Sequence, residues 1–355
     1  MTQKHSIRGL SAAGLLAVPI LLAGCGPFGG KESEAVDPPP AQLEAQMIGA
    51  ANSSASVIPV LADDAVQNTV YLSDSKGMLA PVTLALPKDS AKDPISSAIM
   101  VLVKNSPYAG YIPEGFSGVL PAGTEVTNVT VDAERKLAMV EFNEVFKKYD
   151  HKEERRILEA LTWTLTGQKG VEKAELWVAG EKLTEMPLNR TPLDRPLSRT
   201  MGINLQKADD TQYSQSSPVT VYFSGVTPGG VQYYVPVTRL VPAGQDAVQA
   251  AVHELIRGPQ FGDGLAMVMT GGTTLTGVEQ GEDGSLTVAL SDSMFQQGDH
   301  IPAELLQAVV LTVTENAGAT KVKIKMNDLA EVTGTDSVSY SQPVSRPEHI
   351  NEIPI

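Results

Sequence analysis

The second half of the chain repeats the first. Five blocks of sequence recur at a separation of 148 to 152 residues, and chance similarity does not maintain so constant a spacing. The clearest block, residues 69–73 (TVYLS), recurs as residues 220–224 (TVYFS). A unit of about 130 residues buries roughly two-thirds of its unfolded surface and folds without cross-links. The sequence therefore predicts two copies of one domain.

Each copy is predicted to contain the elements ββαββαβ. Runs of β-branched and aromatic residues mark the strands. Apolar residues at helical spacing mark the helices, as in Val248, Ala251, Val252 and Leu255, where Gly258 ends the pattern. Paired strands followed by helices favour the α+β class. We expect each repeat to form an open sheet with two helices on one face.

The amino terminus has the pattern of a bacterial lipoprotein signal. Lys4 and Arg8 precede an apolar run over residues 10–22 that is too short to span a bilayer. The tetrapeptide ending at Cys25 resembles a lipobox, in which the cysteine receives diacylglyceryl and N-acyl chains such as palmitate and becomes the first mature residue. Two acyl chains anchor a protein stably. The alternative is an ordinary signal peptide followed by a lone buried cysteine.

These patterns divide the chain into segments. The stretch after the signal is rich in Gly, Ser and Pro, which indicates a disordered tether with a reach of roughly 35 Å. The predicted boundaries are a signal peptide over 1–24, a tether over 25–67, a first repeat over 68–185, a linker over 186–217, a second repeat over 218–335 and an irregular tail over 336–355 that can dock back.

The sequence does not show a set of residues typical of an enzyme active site. One cysteine excludes a disulfide framework and a cysteine-built metal site. The net charge of −14, or −16 without the signal peptide, disfavours nucleic acid and anionic lipid head groups as partners. His253 and Glu254 begin like a zinc-protease helix, but Arg257 stands where the second histidine is needed. We interpret this pair as the solvated side of an amphipathic helix and expect no catalytic site, metal or cofactor.

Aromatic residues are concentrated in one loop of an aromatic-poor chain. Tyr108, Tyr111 and Phe116 follow the first predicted helix, and Phe261 lies in the corresponding loop of the second repeat. Long loops are often functional, and aromatic side chains frequently anchor interfaces. These four residues are candidates for binding a partner. The alternative is that they pack over the sheet as a lid.

Several blocks together resemble the GerMN family of sporulation and spore germination domains. They are residues 221–223, 235–239 and 255–259, a Gly-Thr step, and strands that end at Phe295. The resemblance implies a fold like the ring-building motif of secretion systems. It also implies a non-enzymatic role in endospore formation, in the space between the mother-cell and forespore membranes. There the family supports a channel-like protein complex, and side-by-side packing into a ring or homo-oligomer is one assembly that this implies.

The leading hypothesis is therefore a structural lipoprotein that supports an envelope complex during endospore formation and germination. We expect it on the outer face of the cell membrane, which in sporulating cells is the mother-cell-derived membrane around the forespore. One alternative is a solute-binding lipoprotein, although such proteins usually bind their ligand between two doubly wound lobes. Another is a cell-wall hydrolase or its accessory, although no zinc ligand set supports it.

Overall fold

The computed structural model describes residues 65–88, 93–207, 213–318 and 321–355. Both repeats lie within one compact unit, Ser56–Ile355. The predicted signal peptide, Cys25 and most of the tether lie outside the described residues. The first strand begins at Ala65, so the last three residues assigned to the tether belong to the first repeat. None of the helices in the described ranges has the length and apolar content needed to span a bilayer.

The predicted order ββαββαβ is confirmed in both repeats, and the fold is α+β. The first repeat contains β1 (Ala65–Asp74), β2 (Leu79–Pro87), α1 (Pro94–Val101), β3 (Val126–Asp132), β4 (Leu137–Phe142), α2 (Glu154–Leu165) and β5 (Lys173–Val178). The second contains β6 (Ser216–Val226), β7 (Gln232–Pro242), α3 (Ala247–Arg257), β8 (Thr274–Gln280), β9 (Leu286–Ser291), α4 (Ala303–Ala317) and β10 (Lys321–Met326). Two-residue strands occur at Phe116–Ser117, Glu181–Lys182, Gln206–Lys207, His300–Ile301, Thr333–Gly334 and Val344–Ser345.

Each repeat begins with a long antiparallel hairpin. Thr69 faces Thr83 across β1 and β2, and Thr220 faces Thr238 across β6 and β7. The threonine hydroxyl oxygens of these pairs lie 2.8 and 2.9 Å apart. Most residues of both hairpins are buried without the usual alternation, so each hairpin is covered on both faces.

A second ladder in each repeat consists of β3, β4 and β5, or of β8, β9 and β10. The pairs β4–β5 and β9–β10 are parallel, which requires the helical crossovers α2 and α4. The edge strands β3 and β8 carry bulges at equivalent places, Val126/Asn128 and Leu275/Gly277. Each repeat thus has its hairpin and its ladder in two separate sheets, where one open sheet was expected.

The predicted helical faces lie in the core. The apolar residues of α3, namely Val248, Ala251, Val252 and Leu255, are all at most 7% exposed. Asp246 caps the start of the helix, since its carboxylate accepts a hydrogen bond from the Gln249 amide at 2.9 Å, and Gly258, whose φ is +83°, caps its end.

The stretches predicted as an irregular linker and tail pair with the two repeats, which corrects the sequence-based boundaries. Leu197 pairs with Ala174 in β5, and Gln206–Lys207 runs parallel to β7. In the tail, Val344 pairs with Val322 in β10. These segments join the ladders because their backbone amides and carbonyls bond to strand edges that would otherwise be unpaired.

Candidate functional site

A buried charged group lies between the two repeats. Glu315, near the end of α4, has a side chain that is 9% exposed. Its carboxylate accepts hydrogen bonds from Arg199 Nη1 at 2.9 and 3.0 Å and forms an ion pair with Arg346 Nη2 at 2.9 Å. Arg199 follows the first repeat and Arg346 follows the second. One carboxylate therefore holds the segments that leave both repeats.

Aromatic rings surround this ion pair. Arg199 lies 4.4 Å from the ring centre of Trp163, which packs edge-on against Tyr71 at 5.4 Å. Arg346 lies over the ring of Tyr222 at 5.2 Å. We call these side chains the interrepeat cluster: Tyr71, Trp163, Arg199, Tyr222, Glu315 and Arg346. Its cations are held by a carboxylate and by aromatic faces together.

The interrepeat cluster has fixed protonation states at neutral pH. Burial alone would raise the pKa of Glu315, but the charges of Arg199 and Arg346 outweigh burial and hold that pKa below its usual value. Burial raises the pKa of Tyr71 and Tyr222, so both phenols stay neutral. The cluster thus contains one anion and two cations. None of these shifts brings a pKa close to 7, as acid–base catalysis needs, and the arrangement is structural.

The four predicted partner-binding aromatics occupy different environments. Tyr108 is 6% exposed and belongs to the core, and half-buried Tyr111 lies against it with ring centres 6.4 Å apart. Phe116 packs edge-on against Tyr233 of the second repeat at 5.0 Å. Phe261 is fully exposed. The prediction of a partner surface is wrong for Tyr108, because its ring packs inward as the lid alternative describes.

Replacing Phe261 with Ser should leave the free energy of unfolding within about 0.5 kcal/mol of the parent value, because the exposed ring has no packing to lose. Chemical denaturation monitored by circular dichroism measures this. Phe142→Ser is the matched comparison, because Phe142 is fully buried and should cost about 3–5 kcal/mol. A large loss at Phe261 would show that its ring packs against the fold in solution.

The expectation that His253 and Glu254 both lie on the solvated side of the helix is met by His253 alone. His253 is exposed, but Glu254 is 8% exposed and is not solvated. It pairs with Arg239 Nη1 at 3.0 Å, and that guanidinium lies 4.9 Å from the ring centre of Phe223. The helical spacing of apolar residues does not reveal that a buried arginine, Arg239, lies opposite Glu254. Among the described residues, no group of three or more His, Cys, Asp or Glu side chains is placed to hold a metal.

An open groove of about 350 Å³ lies beside the turn between β3 and β4. Its charged walls include Lys136 and Glu172, which pair with each other at 2.5 Å and are both more than half exposed. Exposed pairs of this kind contribute little to stability.

The arginines of the interrepeat cluster were missed from the sequence because they lie outside the predicted repeats. A signal was present: Arg199 ends the sequence Pro-Leu-Ser-Arg and Arg346 ends Pro-Val-Ser-Arg. Extending the search for repeats past the last strand of each copy would have found both.

Comparison with known proteins agrees with the tandem organisation. The family model described as "Germane: Sporulation and spore germination" matches residues 69–184 and 220–330. The chain is 33% identical over 354 residues to the spore germination protein GerM of Bacillus subtilis (strain 168), covering 95% of each chain. It also matches a solved structure of the tandem GerMN domains of the sporulation protein GerM from Bacillus subtilis, with 34% identity and a TM-score of 0.74. That match covers 81% of this chain and 99% of the solved one.

Proposed function

Because the chain belongs to the Germane family of sporulation and spore germination proteins, we propose that it is a membrane-anchored structural lipoprotein. It supports an envelope assembly during endospore formation and later germination. The observation that carries this proposal is the pair of tandem family domains at residues 69–184 and 220–330. The whole chain also aligns with a spore germination protein over 95% of both lengths.

The proposed anchor is Cys25. Diacylglyceryl and N-acyl chains on this residue hold the protein at the outer face of the membrane, since two chains give stable attachment where one does not. In sporulating cells this is the mother-cell-derived membrane around the forespore, and the folded repeats face the space between the two membranes. The segment after Cys25 sets their distance from the lipid surface.

The proposed role needs no reaction centre. The buried carboxylates of Glu315 and Glu254 are both paired with arginines that fix the packing of the fold. A structural protein uses such pairs for rigidity, and rigidity is what a scaffold contributes to an assembly.

The proposed partners are proteins of a channel-like complex, with association of several copies into a ring as one arrangement. Phe261 is the aromatic side chain best placed to contact them, because it is fully exposed on the loop after α3. An exposed aromatic ring gains much from burial at an interface.

The solute-binding alternative gains no support from the packing of the repeats. A ligand between two lobes needs a cleft that opens, whereas the hairpins here contact each other. Tyr233 of the second repeat donates a hydrogen bond to Asp74 of the first at 2.8 Å. The Lys76 ammonium donates to the carbonyl of Gly264 across the same boundary.

Replacing Cys25 with Ala should release the protein from membranes, because the thiol that accepts the diacylglyceryl group is lost. The measurement is the distribution of the protein between membrane and soluble fractions of sporulating cells, together with the localisation of a fluorescent fusion. Ser33→Ala is the matched control, because it makes the same truncation in the same segment and leaves Cys25 in place.

Two outcomes would contradict the proposal. A Cys25→Ala protein that remains in the membrane fraction and restores spore formation to a deletion strain would show that no lipid anchor is needed. A deletion strain with normal spore yield and normal germination would remove the assembly role itself.

A further inference from the structure

The segments that follow the two repeats have the same sequence pattern. Residues 196–204 (PLSRTMGIN) and 343–351 (PVSRPEHIN) share Pro-(Leu/Val)-Ser-Arg-x-x-x-Ile-Asn, at a separation of 147 positions. Both lie beyond the residues that the family model matches, 69–184 and 220–330. We call 196–204 the first arm and 343–351 the second arm. The shared pattern indicates that each arm belongs to the repeat before it.

Both arms leave their own repeat at the same place. In the first arm, Leu197 exchanges two backbone hydrogen bonds with Ala174 of β5, at 2.9 and 2.8 Å. In the second arm, Val344 pairs with Val322 of β10. Ala174 and Val322 are each the second residue of equivalent strands. The arms thus start as equivalent edge additions to equivalent ladders.

Each arm then binds the hairpin of the other repeat. The amide of Ile203 donates to Thr238 Oγ1 at 2.9 Å, and the amide of Ile350 donates to Thr83 Oγ1 at 3.0 Å. Thr83 and Thr238 are themselves equivalent, since each ends a Pro-Val-Thr sequence in the second strand of its hairpin. The first arm therefore binds the second repeat, and the second arm binds the first.

The asparagine at the end of the first arm joins both hairpins. Asn204 Oδ1 accepts from the amide of Leu79 at 2.9 Å, and its Nδ2 donates to the carbonyls of Leu79 and Pro236, each at 2.7 Å. Leu79 belongs to β2 and Pro236 to β7. One side-chain amide therefore connects the edges of two strands from different repeats.

Asn351 makes the equivalent contacts from the second arm. Its Oδ1 accepts from the amide of Tyr234 at 2.7 Å, and its Nδ2 donates to the carbonyls of Tyr234 and Pro81 at 2.8 and 2.7 Å. Both asparagines have a left-handed backbone, with φ of 48° at Asn204 and 58° at Asn351. Asparagine tolerates that conformation better than most residues.

The interrepeat cluster lies where equivalent residues meet. Arg199 and Arg346 occupy the same position in their arms, and both bind Glu315. Tyr71 and Tyr222, which are equivalent in β1 and β6, both belong to this cluster. Reciprocal contacts made by equivalent residues, as by Asn204 and Asn351, are the mark of a twofold axis.

We propose that the two repeats form an internal dimer with approximate twofold symmetry, in which each repeat binds the other through its exchanged arm. The arms lie against the edges of β2 and β7 that do not pair with β1 and β6, where backbone groups would otherwise be unpaired. Asn204 and Asn351 each bind both hairpins at once, and together with the interrepeat cluster they couple the repeats into one rigid, cooperative unit.

The test replaces both asparagines with glycine in the full chain. Glycine adopts the left-handed backbone without strain, so Asn204→Gly and Asn351→Gly remove the side-chain bridges and leave the arm conformation accessible. Asn327→Gly is the matched control. Asn327 has φ of +50°, and its amide group accepts from the amide of Asp292 and donates to the carbonyls of Asp292 and Phe295, all inside the second repeat.

Spin labels report on the relative position of the repeats. Thr127→Cys and Thr276→Cys place labels at exposed, equivalent points of the edge strands β3 and β8, in a background in which Cys25 is replaced. We expect a narrow distance distribution in the parent and in Asn327→Gly, and a broad one in the double Asn204→Gly/Asn351→Gly variant.

Thermal unfolding gives the second readout. The double variant should unfold in two calorimetric steps where the parent has one, while Asn327→Gly keeps a single step at lower temperature. A double variant with the narrow distance distribution of the parent and a single step would overturn the proposal. So would an equal broadening in Asn327→Gly, because loss of coupling would then follow from any local destabilisation.

Discussion

Replacing Glu315 with Gln should lower the free energy of unfolding by about 3 kcal/mol at pH 7, because it leaves two guanidinium groups close together without their shared anion. Glutamine retains the shape and one oxygen acceptor, so the loss comes mainly from charge. The arginine side chains keep about a quarter of their surface exposed, at 29% for Arg199 and 25% for Arg346, which places the loss at the low end for a buried pair. Chemical denaturation at pH 7 measures it.

The same substitution should change how stability depends on pH. The pKa of Glu315 is lowered in the folded chain from its usual value of 4.5, so its contribution is complete above about pH 4.5 and is lost as the pH falls through the folded value. The difference between the parent and Glu315→Gln should therefore shrink in acid. Glu279→Gln, on the exposed edge strand β8, is the control for removing one negative charge. A constant difference from pH 7 to pH 3 would contradict the proposed role of the charge.

Trp163→Ala should cost about 4 kcal/mol, because it removes a fully buried ring and leaves a cavity. The ring also supports the first arm. Trp163 Nε1 donates a hydrogen bond to the carbonyl of Gly202 at 3.0 Å, and the guanidinium of Arg199 lies over the face of the Trp163 ring. Loss of the tryptophan should therefore loosen the first arm as well as the core of the first repeat.

Trp177→Ala provides the comparison for Trp163→Ala. Trp177, in β5, is only partly buried, and its replacement by Ala removes the same number of atoms as Trp163→Ala. Calorimetry should show a clearly smaller loss of stability for this variant, and limited proteolysis should cut the first arm faster only in Trp163→Ala. Equal losses in the two variants would mean that the packing around Trp163 contributes nothing beyond the burial of any tryptophan.

The regular elements were predictable from the sequence because their burial is periodic. Leu306, Val309, Val310 and Val313 recur at helical spacing and are all at most 1% exposed in α4. The recurrence of the TVY block located β1 and β6. In both cases the burial of a helix face or of a whole strand produces a spacing of apolar residues that can be recognised in the sequence.

The arms were not predictable from periodicity because they have none. Their Pro, Ser and Arg content is typical of linkers, and they are held by hydrogen bonds at separate points, such as that from Asn204 to Pro236, and not by a regular ladder. The candidate partner residues show a similar limit. Tyr108 and Phe261 occupy equivalent loops, yet one is buried and the other fully exposed. Which ring points inward depends on packing between distant segments, which composition does not contain.

The two arginines that share Glu315 bear on how the two repeats evolved. The position that corresponds to Glu315 is Gly167, two residues past the end of α2, so the cluster has two equivalent cations and a single anion. A pair of separate, identical subunits would inherit either two glutamates at this point or none. A duplicated gene read as one polypeptide allows the odd stoichiometry, because its two copies can differ, so fusion of the copies made available a charge arrangement that no homodimer can encode.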